Sequence, residues 1–282
     1  MSALGKWPMG AATFITGEDF WRGVVAIIVF LLFWEVGSRS EALFGFAFPW
    51  VGQVPPPASV LKEIYRLIQD PSFWHSAYLS TVRVLEGFLA AIVVGIPLGL
   101  AMAVSRTFYG ISFPVFEVFR PIPPLAWVPA AIIFWPTQEL SIAFVTFLGA
   151  FFTIVINVIG GARSIDVRYF QAARSMGSST FDIFRRIILP GVLPSIIVGA
   201  TVGIGITWAV VVAAEMISGG GSAGSMGGAA GGGLGFFIWN SYVGGSYTQI
   251  VAGMISIGIA GYISSAVLRK IGAWMTPWLA EG

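Results

Sequence analysis

Residues 187–214 read IILPGVLPSIIVGATVGIGITWAVVVAA, a run of 28 positions without one Asp, Glu, Lys or Arg. A helix needs about 20 predominantly apolar residues to cross the hydrocarbon core of a bilayer, so this stretch alone is long enough to span it. Residues 87–104 and 140–162 are likewise free of charge. Of the 282 residues, 56% are hydrophobic and 10% charged. A soluble domain carries about a quarter of its residues charged, so this chain lacks the polar surface to live in water. The fold class expected is an all-α integral membrane protein.

Working outward, the same reading predicts about six transmembrane helices, at residues 23–37, 76–104, 111–135, 140–160, 187–217 and 247–268. The third contains Pro121, Pro123 and Pro124. Proline frees backbone carbonyls, which a bilayer tolerates only where protein or a cavity satisfies them again. Residues 38–75 read as an external amphipathic segment: Pro55-Pro56-Pro57 stops regular structure, and residues 58–68 then place apolar side chains at helical spacing around Lys62, Glu63 and Arg66. Residues 1–22 form an N-terminal segment, not expected to be a signal peptide, and residues 271–282 a C-terminal tail. Residues 218–235, nearly all Gly, Ala and Ser, read as a flexible external loop.

The basic residues orient the chain. With residues 163–186 in the cytoplasm, alternation places both termini there too. Lys6, Arg22, Arg106, Arg163, Arg168, Arg174, Arg185, Arg186, Arg269 and Lys270 are then inside, and only Arg39, Lys62 and Arg66 outside. The opposite orientation inverts that bias. There is no Cys, which removes disulfides and thiolate chemistry, and the one His, His75, lacks partners that would make a metal site. A net charge of +2 is too small to argue for nucleic acid. No internal repeat is evident, which weighs against a secondary transporter built from duplicated halves.

Within the cytoplasmic segment, Gln171-Ala172-Ala173 is followed after three residues by Gly177, and after nine more by Ile187-Ile188-Leu189-Pro190. A short helix, a glycine turn and a return to the membrane are expected, with small Ala172 and Ala173 admitting a partner's backbone. This pattern resembles the signature loop of importer permeases of the ATP-binding-cassette (ABC) superfamily: Glu-Ala-Ala, three residues, Gly, nine residues, Ile-any-Leu-Pro. Gln171 stands where the pattern has Glu, keeping the shape and dropping the charge. The stretches TVRVLEGF (81–88), GIPLGL (95–100), RPIPPLAWVP (120–129) and AAEMI (213–217) are similar to permeases for nitrate, sulfonates, taurine and bicarbonate. The Gly-rich insert before LGFFIW (234–239) is longer than that group's usual loop.

The resemblance implies a type I ABC importer permease fold over residues 76–270, in the cytoplasmic (inner) membrane of a bacterium. It makes residues 163–186 a coupling loop, with Gln171, Ala172, Ala173, Gly177, Ile187, Leu189 and Pro190 as the coupling residues. It further implies two ATPase subunits, a second permease copy forming a homodimer, and a periplasmic or lipid-anchored substrate-binding protein. The cargo would be a small anion such as nitrate, a sulfonate, taurine or bicarbonate. No GxxxxGK[ST] motif occurs, so this chain is expected to bind no cofactor and to be no enzyme, with ATP and Mg held by the partner ATPase.

Candidate pathway or gate residues are Arg120, Thr207, Trp208, Glu215, Trp239 and Asn240. Arg120 either meets an anionic substrate, pairs with Glu117 three residues earlier or caps carbonyls that proline leaves free; Arg83 and Glu86, likewise three apart, are expected to form an internal pair or an interfacial anchor rather than a substrate contact. Glu215, deep in the outer half of its span, is either a gate or a hydrogen-bonded carboxylate holding the neighbouring loop. Thr207 and Trp208 either line a path or pack. Trp239 and Asn240 form either a re-entrant turn or an interfacial belt. The glycines of residues 219–233 are a candidate anion nest or a plain flexible loop. A channel or an ion-coupled secondary transporter is the competing class, kept open by Glu86, Glu117 and Glu215. A membrane-embedded enzyme finds no convergent acid–base or metal ligands.

Overall fold

A computed structural model describes residues 18–46, 49, 52, 54–219 and 232–279. Most of the Gly-rich stretch and nearly all of the N-terminal segment thus lie outside the described residues. The described chain is helical, in the order α1 (Glu18–Ser38), α2 (Ser40–Phe44), α3 (Pro57–Ile68), α4 (Pro71–Val104), α5 (Arg106–Phe119), α6 (Val128–Phe134), α7 (Gln138–Arg163), α8 (Val167–Ser175), α9 (Thr180–Ile183), α10 (Leu189–Gly219), α11 (Leu234–Val243) and α12 (Tyr247–Met275).

Five helices among the described residues are long and apolar enough to cross a bilayer: α1, α4, α7, α12 and the continuous run Thr180–Ile217. The predicted third span, residues 111–135, is not one helix. Its prolines divide it into α5, a 3₁₀ turn at Pro124–Trp127 and the seven-residue α6. At 1.5 Å per residue α6 is about 10 Å long, a third of the hydrocarbon thickness. The break falls on the cluster Pro121, Pro123 and Pro124, which together supply no backbone N–H to the ladder; Pro123, just before Pro124, sits at ψ 136°, outside helical geometry. The run from Thr180 through Ile217 is 38 residues, about 57 Å of helix, so its first turns project beyond the apolar core.

The chain divides into two compact units. The first contains residues Met1–Leu67 with Tyr247–Ala252. Inside it Glu35 anchors the turn after α1, pairing with Arg39 at 2.6 Å and accepting from the amide of Ala58 at 3.4 Å. Glu63 of α3 pairs with Arg66 and accepts from the Gln249 side chain at 3.0 Å. Apolar side chains of α1 are exposed on all sides, among them Phe20, Trp21, Ile27 and Phe33, as a helix solvated by lipid requires.

The second unit, residues Ile68–Ser246 with Gly253–Gly282, is built on α7. Ala150, Ile154, Val155 and Val158 are fully buried there, with α4 on one side and α10 on the other. Small residues set the spacing, as is usual where packing rather than hydrophobic exclusion holds helices together in lipid. A Cβ on Gly99 of α4 would lie 2.8 Å from two Val158 carbons, and one on Gly87 would lie 2.8 Å from the amide nitrogen of Phe147. Gly203 of α10 sits against Ala150 in the same manner. These contacts leave α4, α7 and α10 no slack along their shared length.

Candidate functional site

The charge-free interior leaves polar chemistry at the two ends of this second unit, and both ends are built. At the cytoplasmic end, α8 is a short helix capped on both sides. Asp166 accepts from the amide of Arg168 at 2.8 Å, closing the N-terminus. Gly177, at φ +75°, closes the C-terminus: its amide donates to the carbonyl of Arg174 at 3.0 Å, and Ser178 donates to Ala173 at 3.0 Å. That pair of bonds is a Schellman motif, and its left-handed residue favours glycine. Ser179 then caps α9, accepting from the Asp182 amide at 3.1 Å while its hydroxyl donates to the Asp182 carboxylate at 2.6 Å. A π-helical turn, Phe184–Ile188, joins α9 to α10. Ile187 lies in it, and Leu189 and Pro190 open α10.

The loop's two alanines face opposite ways. Gln171 and Ala172 are exposed, together with Ser175 and Met176, whereas Ala173 is only 5% exposed and turned into its own chain. The expectation that both alanines admit a partner is corrected: the outward face is Gln171–Ala172 and the turn after it. Behind α8 lies a cavity of about 320 Å³, lined by Phe170, Arg174 and Ser178 and by the ends of α4, α7 and α9. Arg163 stacks 4.2 Å above the ring of Tyr109, tying the start of the loop to α5.

At the other end, four separate segments meet around one guanidinium. Arg83, 2% exposed on α4, presents its Nε and Nη2 edge to Glu139 of α7 at 2.8 and 2.5 Å. Its Nη1 donates to Glu215 of α10 at 2.8 Å and to the carbonyl of Gly232 at 2.5 Å. The Glu215 carboxylate also accepts from the Ser80 hydroxyl at 2.8 Å and the Gly235 amide at 2.9 Å. Ser80 in turn accepts from the Leu234 amide at 2.8 Å. Two glycines make this approach possible: a Cβ on Gly233, at φ +131°, would collide with the Glu215 carboxylate, and one on Gly235 with the Val212 carbonyl. The result is a pin that fastens the chain after the Gly-rich stretch to α4 and α10.

This arrangement corrects the expected Arg83–Glu86 pair. Glu86 points to the exposed side, and Arg83 takes its partners from other helices. Of the two readings of Glu215, the geometry is that of the carboxylate holding the neighbouring loop. Ser80 and Glu139 went unnoticed in the sequence. One signal could have found Glu139: with spans 76–104, 140–160 and 187–217 in alternating directions, Arg83, Glu139 and Glu215 all fall near the outer ends.

The remaining candidates do not converge. Arg120 pairs with Glu117 at 3.3 Å at the end of α5, both about 40% exposed. Thr207 is fully buried and its hydroxyl donates to the carbonyl of Gly203 at 2.9 Å. Trp208 is 3% exposed, with Nε1 donating to Ser264 at 3.2 Å. Both therefore pack inside this chain, Thr207 against Gly149 of α7 and Trp208 against Ser264 and Gly261 of α12. Trp239, half-buried against Tyr242, and Asn240, exposed, lie on α11, a regular ten-residue helix rather than a turn.

Residues 95–281 match the family model described as binding-protein-dependent transport system inner membrane component. The nitrate import permease protein NrtB of Synechocystis sp. is 33% identical, covering 94% of this chain and 92% of the relative. The taurine transport system permease protein TauC of Escherichia coli is 32% identical, covering 98% and 94%. The bicarbonate transport system permease protein CmpB of Synechococcus elongatus is 29% identical over 91% and 88%. Among solved structures, a chain of the MetNI methionine ABC transporter in an inward-facing conformation superposes with a TM-score of 0.59 at 20% identity, over 74% of this chain and 99% of that one.

Proposed function

Given that the chain belongs to the family of binding-protein-dependent transport system inner membrane components, and is thus a multi-pass permease subunit of an ABC importer, we propose that its cargo is a small oxyanion and that ATPase closure reaches it through α8. Membership of that family implies an ATPase partner and a substrate-binding protein. The finer assignments are the reading offered here: ATP and Mg sit on two ATPase copies, this chain catalyses nothing itself, and two permease copies form a homodimer.

The observation that carries the coupling role is the shape of the loop. A helix capped at both ends, with Gln171 and Ala172 outward and Ala173 inward, is a rigid lever with one free face. Ala172 and Ser175, the small side chains on that face, let a partner approach closely. The lever connects through the π turn to α10, and α10 packs on α7 at Gly203 and Ala150. A push on α8 is therefore passed to α10 and α7 together. The cargo class is supported by the relatives: nitrate, taurine and bicarbonate, named in their descriptions, share an anionic group of two or three equivalent oxygens.

The test is reconstitution of the chain with the ATPase and binding protein encoded beside it in proteoliposomes. ATP-dependent uptake of one of nitrate, taurine or bicarbonate is expected, and Ala172→Trp is expected to abolish uptake and ATPase co-purification without loss of the folded permease. Uptake of none of the three would refute the cargo class; an A172W chain that still couples would refute the role of α8.

A further inference from the structure

Arg83 divides its bonds between two carboxylates of unlike standing. The Glu215 side chain is 0% exposed and accepts from Ser80, Gly235 and Arg83, so it cannot leave without stranding an amide and a hydroxyl. The Glu139 side chain is 49% exposed, and among the described residues its bonds are those to Arg83. Glu139 also lies in the first turn of α7, where the helix N-terminus favours a carboxylate in more than one rotamer. Swinging Glu139 outward therefore costs its two bonds to Arg83 and little more.

The frame does not move when it swings. One turn below Arg83, Gly87 is pressed onto Thr146 of α7, and Gly99 onto Val158 further down. Arg83 itself stays fixed by Glu215 and the Gly232 carbonyl. The exposed edge is then two parallel N–H donors, Nε and Nη2, which fit two oxygens of an oxyanion as they fit a carboxylate. Arg83 keeps two anionic partners through the exchange, while Glu139, still tethered to α7, carries its charge to the half-exposed side.

We propose that the Nε–Nη2 edge of Arg83 is an anion seat, held at rest by the Glu139 carboxylate and taken by a small oxyanion when Glu139 swings out. The proposal rests on the anionic-cargo reading and assigns it a residue. The bias of basic residues puts this end of α4 outside, the side from which the cargo arrives.

The experiment uses the permease–ATPase complex in lipid nanodiscs, titrated with nitrate against chloride at constant ionic strength, with the unfolding midpoint as readout. Glu139→Gln removes the competing charge, so nitrate is expected to bind saturably and about tenfold tighter than to wild type or better. Glu139→Asp, one methylene short of the fork, is expected to fall between the two. Adding Arg83→Lys to E139Q is expected to abolish the saturable response, since an ammonium has no fork. A folded E139Q or E139D complex with wild-type nitrate affinity, or a response that survives R83K, would overturn the seat. Uptake separates it from the cargo reading: wild type importing an oxyanion while E139Q binds none sinks the seat alone, whereas binding through Arg83 with no oxyanion imported sinks the cargo class alone.

Discussion

Replacing Arg83 by Met tests whether the outer cluster is a charge-closed unit. Arg83→Met keeps much of the stem and removes four hydrogen bonds, two to Glu139 and one each to Glu215 and Gly232. Glu139, half-exposed, turns to solvent at little cost. Glu215 has no such escape at 0% exposure. Removing one partner of a buried pair costs about 3–5 kcal/mol, because the other charge is left without compensation. At roughly 2–4 °C per kcal/mol for a unit of this size, the unfolding midpoint in detergent should fall by roughly 6–20 °C. Adding Glu215→Gln removes the stranded charge while leaving an oxygen for Ser80 or Gly235, so R83M/E215Q should recover about half of the loss, the remainder being an imperfectly satisfied amide. The assay is a thermal melt of four proteins: wild type, both single variants and the double. A drop under about 2 °C for R83M, or a double variant no better than R83M, would refute the argument that an uncompensated Glu215 carries the cost.

Three further outcomes are expected. Ala173→Trp, in contrast to the outward Ala172→Trp, should prevent accumulation of folded permease, because position 173 is 5% exposed; expression with size-exclusion profiles decides it. Gly177→Ala meets no neighbour within 4 Å but must hold φ +75°, costing about 1–2 kcal/mol of local strain; ATP hydrolysis coupled to transport should fall severalfold while Gly177→Asn retains more of it. Gly99→Val should fail to fold against Val158, and Val158→Gly in the same chain should restore measurable accumulation, whereas restoration by a remote small-residue substitution would show that the contact is not the cause.

The spans were legible because charge-free runs of sufficient length have one physical outcome in water-poor surroundings. The third segment was legible only as a place of trouble. Hydropathy sums over residues 111–135 without registering that Pro121, Pro123 and Pro124 leave a 3₁₀ turn and one short helix after it. The spacing of the motif in residues 171–190 was readable, but not its phase: nothing in Gln-Ala-Ala says which alanine faces inward, since that depends on where α4 and α7 end. Arg83 shows the limit most clearly. Spacing along a helix nominates Glu86, three residues away, yet a buried guanidinium takes whichever carboxylates tertiary packing brings within reach, here 56 and 132 residues distant.

The distribution of polar groups in the second unit constrains how this permease can move. Between the capped α8 and the Arg83 pin, α4, α7 and α10 meet through glycine and alanine contacts with no room for sliding by a side chain's width. An interface packed that tightly has few intermediate arrangements, so displacement of α8 turns the three helices as one body instead of deforming them. The Arg83 pin then travels with that body, because its side-chain anchors Ser80, Glu139 and Glu215 lie on those same helices, and the Gly232 carbonyl is carried along with it. What changes at the outer end is therefore the direction in which the pin, and the segment from Gly232 to Gly235 that it holds, is presented. Access would be switched by moving an intact cluster, with Glu139 as the only member free enough to exchange.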